Sequence, residues 1–165
     1  MKLNLKIVLV SLAVIGFVGC GSSSSSPNVS AKDLKGGWIG TCDTNGTNSN
    51  RTDLNFVDNR VEIRDIKFNN PTCSEDNKIF YDVTKNFQYL LGEDMTTPNG
   101  SDVTKIDMTF LGLLGIAVGD YVDDIKLGTH LYSIVYEKDD KLYFGEISKT
   151  DNVNKVDFTH PFSEK

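Results

Sequence analysis

Few side chains in this sequence have the type and spacing that acid–base or nucleophilic chemistry requires. The chain has two histidines, His130 and His160, and neither lies near a cysteine or a Gly-x-Ser-x-Gly motif, the turn that presents a nucleophilic serine. A general base must also lie within hydrogen-bonding reach of the group that it activates. We therefore expect both histidines to be surface or packing residues, and we predict that the chain is not an enzyme.

Two acidic segments contain residue types that could bind a metal ion. Asp120, Asp123 and Asp124 are carboxylates that could bind calcium, and residues 43–50, "DTNGTNSN", resemble a calcium-binding loop. Such a loop needs a glycine at its sixth position and a glutamate at its twelfth. Asn48 occupies the sixth position, and no glutamate stands eleven residues after Asp43. We predict no metal site and no cofactor.

The first twenty residues, "MKLNLKIVLVSLAVIGFVGC", have the layout of an export signal. Lys2 and Lys6 precede an apolar run over residues 7–18, and Gly19 and Cys20 follow. A basic start, a short apolar centre and a small residue at the cleavage site are typical of such signals. A transmembrane anchor is the weaker interpretation, because a membrane span usually needs ~20 apolar residues.

The end of this signal, "FVGC", resembles the bacterial lipoprotein signal, in which a cysteine after a small residue is lipidated and becomes the mature amino terminus. The resemblance implies lipidation of Cys20 and a partner membrane in the cell envelope. Gly21, in place of the aspartate associated with inner-membrane retention, points to the outer membrane. We predict a signal peptide over residues 1–20, a flexible Ser-rich tether over 21–33, and a single domain over 34–165.

Two further cysteines remain once Cys20 is assigned to the lipid. Cys42 and Cys73 can pair in only one way, and an exported protein meets an oxidising compartment. A zinc site or reactive thiol pair is the alternative, but structural zinc normally needs four closely spaced ligands. We predict a Cys42–Cys73 disulfide.

The charge of the chain bears on its partners. The net charge is −6, and Lys and Asp are interleaved along the sequence. Binding to phosphate backbones requires clustered cations, so we predict no nucleic-acid partner. The charges instead indicate a solvated surface.

Alternation of apolar and polar residues dominates the sequence after the tether. Leu54 and Phe56 alternate with polar residues, and Phe87, Tyr89 and Leu91 repeat the pattern, which is typical of strands with one buried face. A change of phase between Ile63 and Ile66 suggests a bulge. We count about eight strands, near residues 37–43, 52–57, 60–68, 78–83, 86–92, 103–110, 130–137 and 141–147. A ninth is possible at 153–159, and residues 81–89 could form one long strand.

The segment over residues 110–128, "FLGLLGIAVGDYVDDIKLG", is the exception to this alternation. It is strongly apolar and contains four glycines, which disfavour an isolated helix. We predict a short helix or apolar loop that covers one end of the fold. A buried strand pair, a ligand gate and a membrane-touching loop remain as alternatives. Short antiparallel strands joined by Asn, Asp and Gly turns predict an all-β sandwich or closed barrel.

The stretch "GGWIGTC" at residues 36–42 contains Gly36-x-Trp38, and this motif on a first strand resembles the signature of the lipocalin-like (calycin) barrels. Together with Cys42, the later Cys73 and "LYFG" at 142–145, it is similar to small lipocalin-like bacterial lipoproteins. The resemblance implies an antiparallel up-and-down β-barrel of about eight strands. From strand alternation we expect Trp38 and Cys42 to point into the same interior, with Trp38 filling one end.

Two functions fit these predictions. In the first, the barrel binds a small hydrophobic ligand such as a lipid or acyl chain, because small barrels can hold one ligand in a mostly apolar pocket. The residues that we expect to line it are Trp38, Phe56, Tyr89, Met108 and Leu142. In the second, the same residues fill a solid core, and the protein is a non-catalytic structural or protein-interaction module of the cell envelope.

Overall fold

A computed structural model describes residues 28–76, 79–117 and 125–165. The predicted signal peptide, with Cys20, and the tether as far as residue 27 lie outside these ranges. The described chain forms one short helix and nine strands: α1 (Ala31–Leu34), β1 (Gly36–Ile39), β2 (Asp43–Asn45), β3 (Asn48–Val57), β4 (Arg60–Phe68), β5 (Ile79–Thr96), β6 (Asp102–Ala117), β7 (His130–Lys138), β8 (Lys141–Phe144) and β9 (Phe162–Glu164).

All nine strands belong to one antiparallel sheet. From β3 to β9, each strand pairs with the next one along the chain. Strand β1 pairs with β3 on one side and with β9 on the other, while β2 pairs with β3. The backbone hydrogen bonds therefore run through a ring of eight strands, which do not stand evenly round an axis. The predicted all-β antiparallel architecture is confirmed.

The core lies on the face of the strands that carries the alternating apolar residues. Leu54 and Phe56 of β3 pair with Ile63 and Val61 of β4, and all four side chains are buried. Successive residues of a strand point to opposite faces, so these four share the inner face of the ring. Across the remaining ring strands the same cluster contains Phe87, Tyr89, Ile106, Met108, Phe110, Leu131, Val135, Leu142 and Phe144.

The segment that precedes β1 packs on one end of this core. Val29 and Leu34 are fully buried members of the core cluster, and the Val29 amide donates to Thr104 Oγ1 at 3.0 Å. The Trp38 indole Nε1 donates to the Leu34 carbonyl at 2.8 Å. We call this the helix end of the ring. Val29 and α1 therefore pack on the folded domain, although the predicted tether extended over residues 21–33. The reason is that the Val29 side chain gains a buried apolar environment.

The disulfide between Cys42 and Cys73 is present, with 5.9 Å between the two Cα atoms, and this confirms the predicted pairing. Its position differs from the expectation. Strand β1 ends at Ile39, and Cys42 packs with Cys73, Ile66 and Phe68 in a cluster separate from the main core. Trp38 and Cys42 thus do not share an interior, because the strand alternation stops before Cys42.

The predicted bulge between Ile63 and Ile66 is also wrong. The pairing of β4 with β3 is continuous over this stretch, so Ile63 faces the core and Ile66 faces outward. Both are buried because the loop that contains Cys73 covers the outer face at Ile66. An apparent change of phase here reflects a strand that is covered on both faces.

Residues 110–117 form a strand and not the short helix or apolar loop predicted for 110–128. They continue β6, which pairs with β5 as far as Tyr81. Strand β5 is itself continuous, which confirms the alternative of one long strand over residues 81–89 in place of two strands at 78–83 and 86–92. At Gly115 φ is +129°, and a Cβ there would lie 2.1 Å from the Asp82 carbonyl oxygen, so only glycine allows this close pairing. Residues 118–124 of the segment lie outside the described ranges.

The possible ninth strand at residues 153–159 is absent from the described chain. Only a single bridge, between Val156 and Gly145, forms there. The last strand instead spans Phe162–Glu164 and pairs with both β8 and β1. Val153 and Val156 are buried against Val103 and Ile134 on the outer face, which accounts for their apolar character.

Candidate functional site

The five residues predicted to line a ligand pocket are part of the packed core. Trp38, Phe56, Tyr89, Met108 and Leu142 all belong to one buried cluster, and none is more than 4% exposed. The Phe56 ring contacts the Tyr89 ring edge-on, with centroids 5.3 Å apart, and stacks with Phe144 at 6.3 Å. The structure brings the five residues together, but they pack against one another in a buried cluster.

The polar atoms in this core have protein partners. The Tyr89 hydroxyl donates to the Asp58 carbonyl at 3.1 Å, and burial raises the pKa of Tyr89. Among the described residues, every buried side-chain nitrogen or oxygen has a hydrogen-bond partner. A polar atom left without a partner would have indicated a place for a ligand, and the middle of the ring offers none.

An open cavity of about 530 Å³ lies at the other end of the ring, and we call it the distal cavity. Its polar lining includes Thr52 and Asp65, which pair across β3 and β4. Thr52 stands four residues before Phe56, whose partner Gly36 follows α1. The distal cavity is therefore separated from the helix end by the packed core.

The distal cavity has an apolar floor. Ile63, Phe87 and Leu131 line it and are at the same time members of the core cluster. Ile125 packs against that cluster, and Ile147, 43% exposed, adds apolar surface nearer the solvent. A volume of this size and an apolar lining fall within the range of small-molecule sites.

The polar rim of the distal cavity is organised around Asp65. Its carboxylate accepts a hydrogen bond from Thr52 Oγ1 at 2.7 Å and forms an ion pair with Lys85 Nζ at 3.2 Å. Lys149 lines the same cavity and is exposed. An adjoining cavity of about 380 Å³ shares Thr52, Asp65 and Lys85 and also includes Lys67.

A third cavity, of about 730 Å³, lies beside the loop that precedes β9. In this loop, His160 pairs through Nδ1 with Asp157 at 2.6 Å and through Nε2 with Asp43 at 3.2 Å. Hydrogen bonding to Asp157 raises the pKa of His160, and the Thr159 hydroxyl is the main cause that lowers the pKa of Asp157 to about 2. These groups satisfy one another, so the cavity has less polar capacity left for a ligand.

The described residues do not form a recognisable catalytic or metal-binding group. His130 contacts Asp107 at 3.2 Å on the surface, far along the sequence from His160. No group of three or more His, Cys, Asp or Glu side chains in the described ranges is placed to hold a metal ion. Cys20, the predicted lipidation site, and Asp120, Asp123 and Asp124 lie outside these ranges.

The sequence contained a signal for the distal cavity, which the search for alternating apolar residues did not detect. Thr52, Asp65 and Lys85 occupy inward positions of their strands, in phase with Leu54, Ile63 and Phe87. Polar residues at inward positions of neighbouring strands indicate a part of the ring that is open to water.

Comparisons with known proteins complete the description of the site. The described residues contain no helix with the length and hydrophobicity that a membrane crossing requires. Comparisons with protein-family models, curated proteins and solved structures found no match for this chain.

Proposed function

We propose that this chain is a non-catalytic binding protein of the cell envelope, held to the outer membrane by a lipid on Cys20. In this proposal the eight-stranded ring is a lipocalin-like barrel with a packed middle. A small hydrophobic ligand occupies the distal cavity and does not reach the interior residues Trp38, Phe56, Tyr89, Met108 and Leu142.

The observation that carries this proposal is the floor of the distal cavity. Ile63, Phe87 and Leu131 belong to the core, yet they also line a cavity of about 530 Å³. These three side chains are at most 6% exposed, so the apolar surface that a ligand can cover comes mainly from Ile125 and Ile147 above them. A ligand that covers this surface recovers about 25 cal/mol for each Å² of apolar surface buried. The site thus favours binding of an apolar ligand without a chemical reaction.

The place where the described chain begins agrees with ligand binding in the distal cavity. Asn28 lies at the helix end, where its amide donates to the Asp94 carboxylate at 3.1 Å. Eight peptide steps separate Cys20 from Asn28, a reach of at most roughly 29 Å for an extended chain. A lipid on Cys20 would hold the helix end towards the membrane, so the distal cavity would face away from it.

A second function is favoured by the packed middle of the ring. The five interior residues are buried against one another, which is what a filled structural or protein-interaction module of the envelope requires. In that case the distal cavity is only an irregular end of the core. Direct binding measurements distinguish the two proposals.

The test uses residues 21–165, which include every residue that the structure describes, and the neutral fluorescent probe N-phenyl-1-naphthylamine. We expect a saturable increase in fluorescence that Ile147→Glu weakens by about tenfold or more, because the variant places a carboxylate against apolar lining. Val57→Glu is the matched control. Val57 is a similarly exposed apolar residue, 51% accessible, and it lies at the end of β3 that is nearer the helix end of the ring.

The outcome decides between the two functions. Saturable binding that is lost in Ile147→Glu and kept in Val57→Glu supports the carrier. Absence of binding, or equal loss in both variants, contradicts the carrier and leaves the filled interaction module as the better account.

A further inference from the structure

The described lining of the distal cavity includes lysines, although the chain as a whole is acidic. The net charge of the chain is −6, and the described lining contains Lys85, Lys149 and the acidic residue Asp65. A lysine at the mouth of a cavity is a group with which an anion can pair.

The negative charge of Asp65 is already matched within the protein. Lys85 Nζ lies 3.2 Å from one carboxylate oxygen, and the Thr52 hydroxyl donates to the other at 2.7 Å. With Lys85 and Asp65 side chains 18% and 30% exposed, this pair is partly shielded from water. It forms a polar part of the rim whose groups already have partners within the protein.

Lys149 is the lysine of the described lining that is best placed to pair with a ligand. It is exposed, it lines the cavity beside Ile147, and within the described ranges no acidic side chain lies at ion-pair distance from it. A lysine side chain carries its ammonium group on a flexible stem of four carbons. The ammonium can therefore form an ion pair with an anionic group at the mouth of the cavity. The floor of Ile63, Phe87 and Leu131 lies behind it.

We propose that the ligand of the distal cavity is an anionic amphiphile, a molecule with an apolar chain and one carboxylate or comparable anionic group. The chain covers Ile125 and Ile147 above the floor of Ile63, Phe87 and Leu131, and the anionic group pairs with Lys149 at the rim. This inference rests on the proposed function, because it names the class of ligand for the same cavity. Monomeric fatty carboxylates and anionic lipids of a membrane share this chemistry.

The experiment compares two probes of equal chain length on residues 21–165: decanoate, which carries the anionic group, and decanol, which does not. Binding is measured by displacement of N-phenyl-1-naphthylamine. We expect decanoate to bind about three- to fivefold more tightly than decanol, since exposed ion pairs contribute modestly, and we expect added salt to reduce this difference.

Substitution of the lysine tests its role. Lys149→Gln should remove most of the preference for decanoate over decanol. Lys141→Gln is the control, because Lys141 is also exposed but begins β8, where it pairs with Lys138 at the end of β7 away from the cavity. Circular dichroism of both variants verifies that the sheet is intact.

Each result has a defined meaning. A preference for decanoate that is lost in Lys149→Gln and kept in Lys141→Gln supports the inference. Equal binding of both probes overturns it and leaves the proposed carrier function standing, whereas binding of neither contradicts both. Binding to vesicles of anionic phospholipid without displacement by decanoate would place the anion site on the surface and overturn the cavity as the site.

Discussion

At the scale of single residues, His160 is the titratable group with the clearest structural role. Its imidazole links the loop before β9 to β2. Nδ1 pairs with the Asp157 carboxylate in the same loop, and Nε2 pairs with the Asp43 carboxylate of β2. The Thr41 hydroxyl donates to the Pro161 carbonyl at 3.0 Å and fastens the same loop. A protonated imidazole can donate to both carboxylates, whereas a neutral one can donate to only one of them.

We expect the stability of the protein to depend on the charge of His160. Its pKa is raised in the folded state, so its stabilising contribution is complete below the unfolded value near pH 6.5 and is lost as pH rises through the folded pKa. Thermal unfolding between about pH 5.5 and about pH 8.5 should show a fall in midpoint that His160→Gln abolishes. An unchanged pH profile in this variant would refute the role of the imidazole.

At the scale of elements, the disulfide joins the region before β2 to the loop after β4. It closes 31 positions of chain and lies against Ile66 and Phe68, which the main core does not cover. Arg51 supports the same loop, since its guanidinium pairs with Asp53 at 2.8 Å and with Glu75 at 2.7 Å. The bond therefore holds a cover over the outer face of β4.

Loss of this bond should lower the free energy of unfolding by about 3–4 kcal/mol, because a loop of this length gains conformational entropy in the unfolded chain. The measurement is urea unfolding of Cys42→Ser/Cys73→Ser against the oxidised wild type. The matched control is the wild type unfolded in reductant, which should show the same loss. A double variant as stable as the oxidised protein would contradict this assignment.

At the scale of the whole molecule, the first described residues and the distal cavity lie at opposite ends of the ring. The first described residues pack at the helix end through Val29 and Leu34, and core residues form the floor of the cavity at the other end. Under the proposed function, a lipid on Cys20 would leave the distal cavity facing the aqueous space. The proposed location therefore depends on Cys20.

We predict that Cys20 carries the lipid. Cells that express the full chain and are fed an alkyne-bearing fatty acid should yield a labelled protein in the membrane fraction, and Cys20→Ser should lose both the label and the membrane association. Cys42→Ser serves as the control and should keep them. Label that persists in Cys20→Ser, or wild-type protein without label, would rule out the proposed anchor.

Most of the β architecture was accessible from sequence, and most of the site was not. Alternation located the inner-face residues Leu54, Phe56, Phe87 and Tyr89 because neighbouring residues of a strand point to opposite faces. The same rule failed at Ile66, where a distant loop covers the outer face, and at residues 110–117, where the pairing with β5 supplies partners for the backbone. Strand propensity and alternation are properties of a single segment, whereas burial of its side chains depends on which other segments pack against it.

The sequence by itself determined the all-β class, the antiparallel strands and the Cys42–Cys73 pair, since these follow from local periodicity and from the small number of cysteines. Only the tertiary structure decided that Trp38, Phe56, Tyr89, Met108 and Leu142 fill the interior and that other core residues line a cavity at the distal end. The physical reason is that a cavity is the difference between the space enclosed by all strands and the summed volume of the side chains within it. No single segment contains that information.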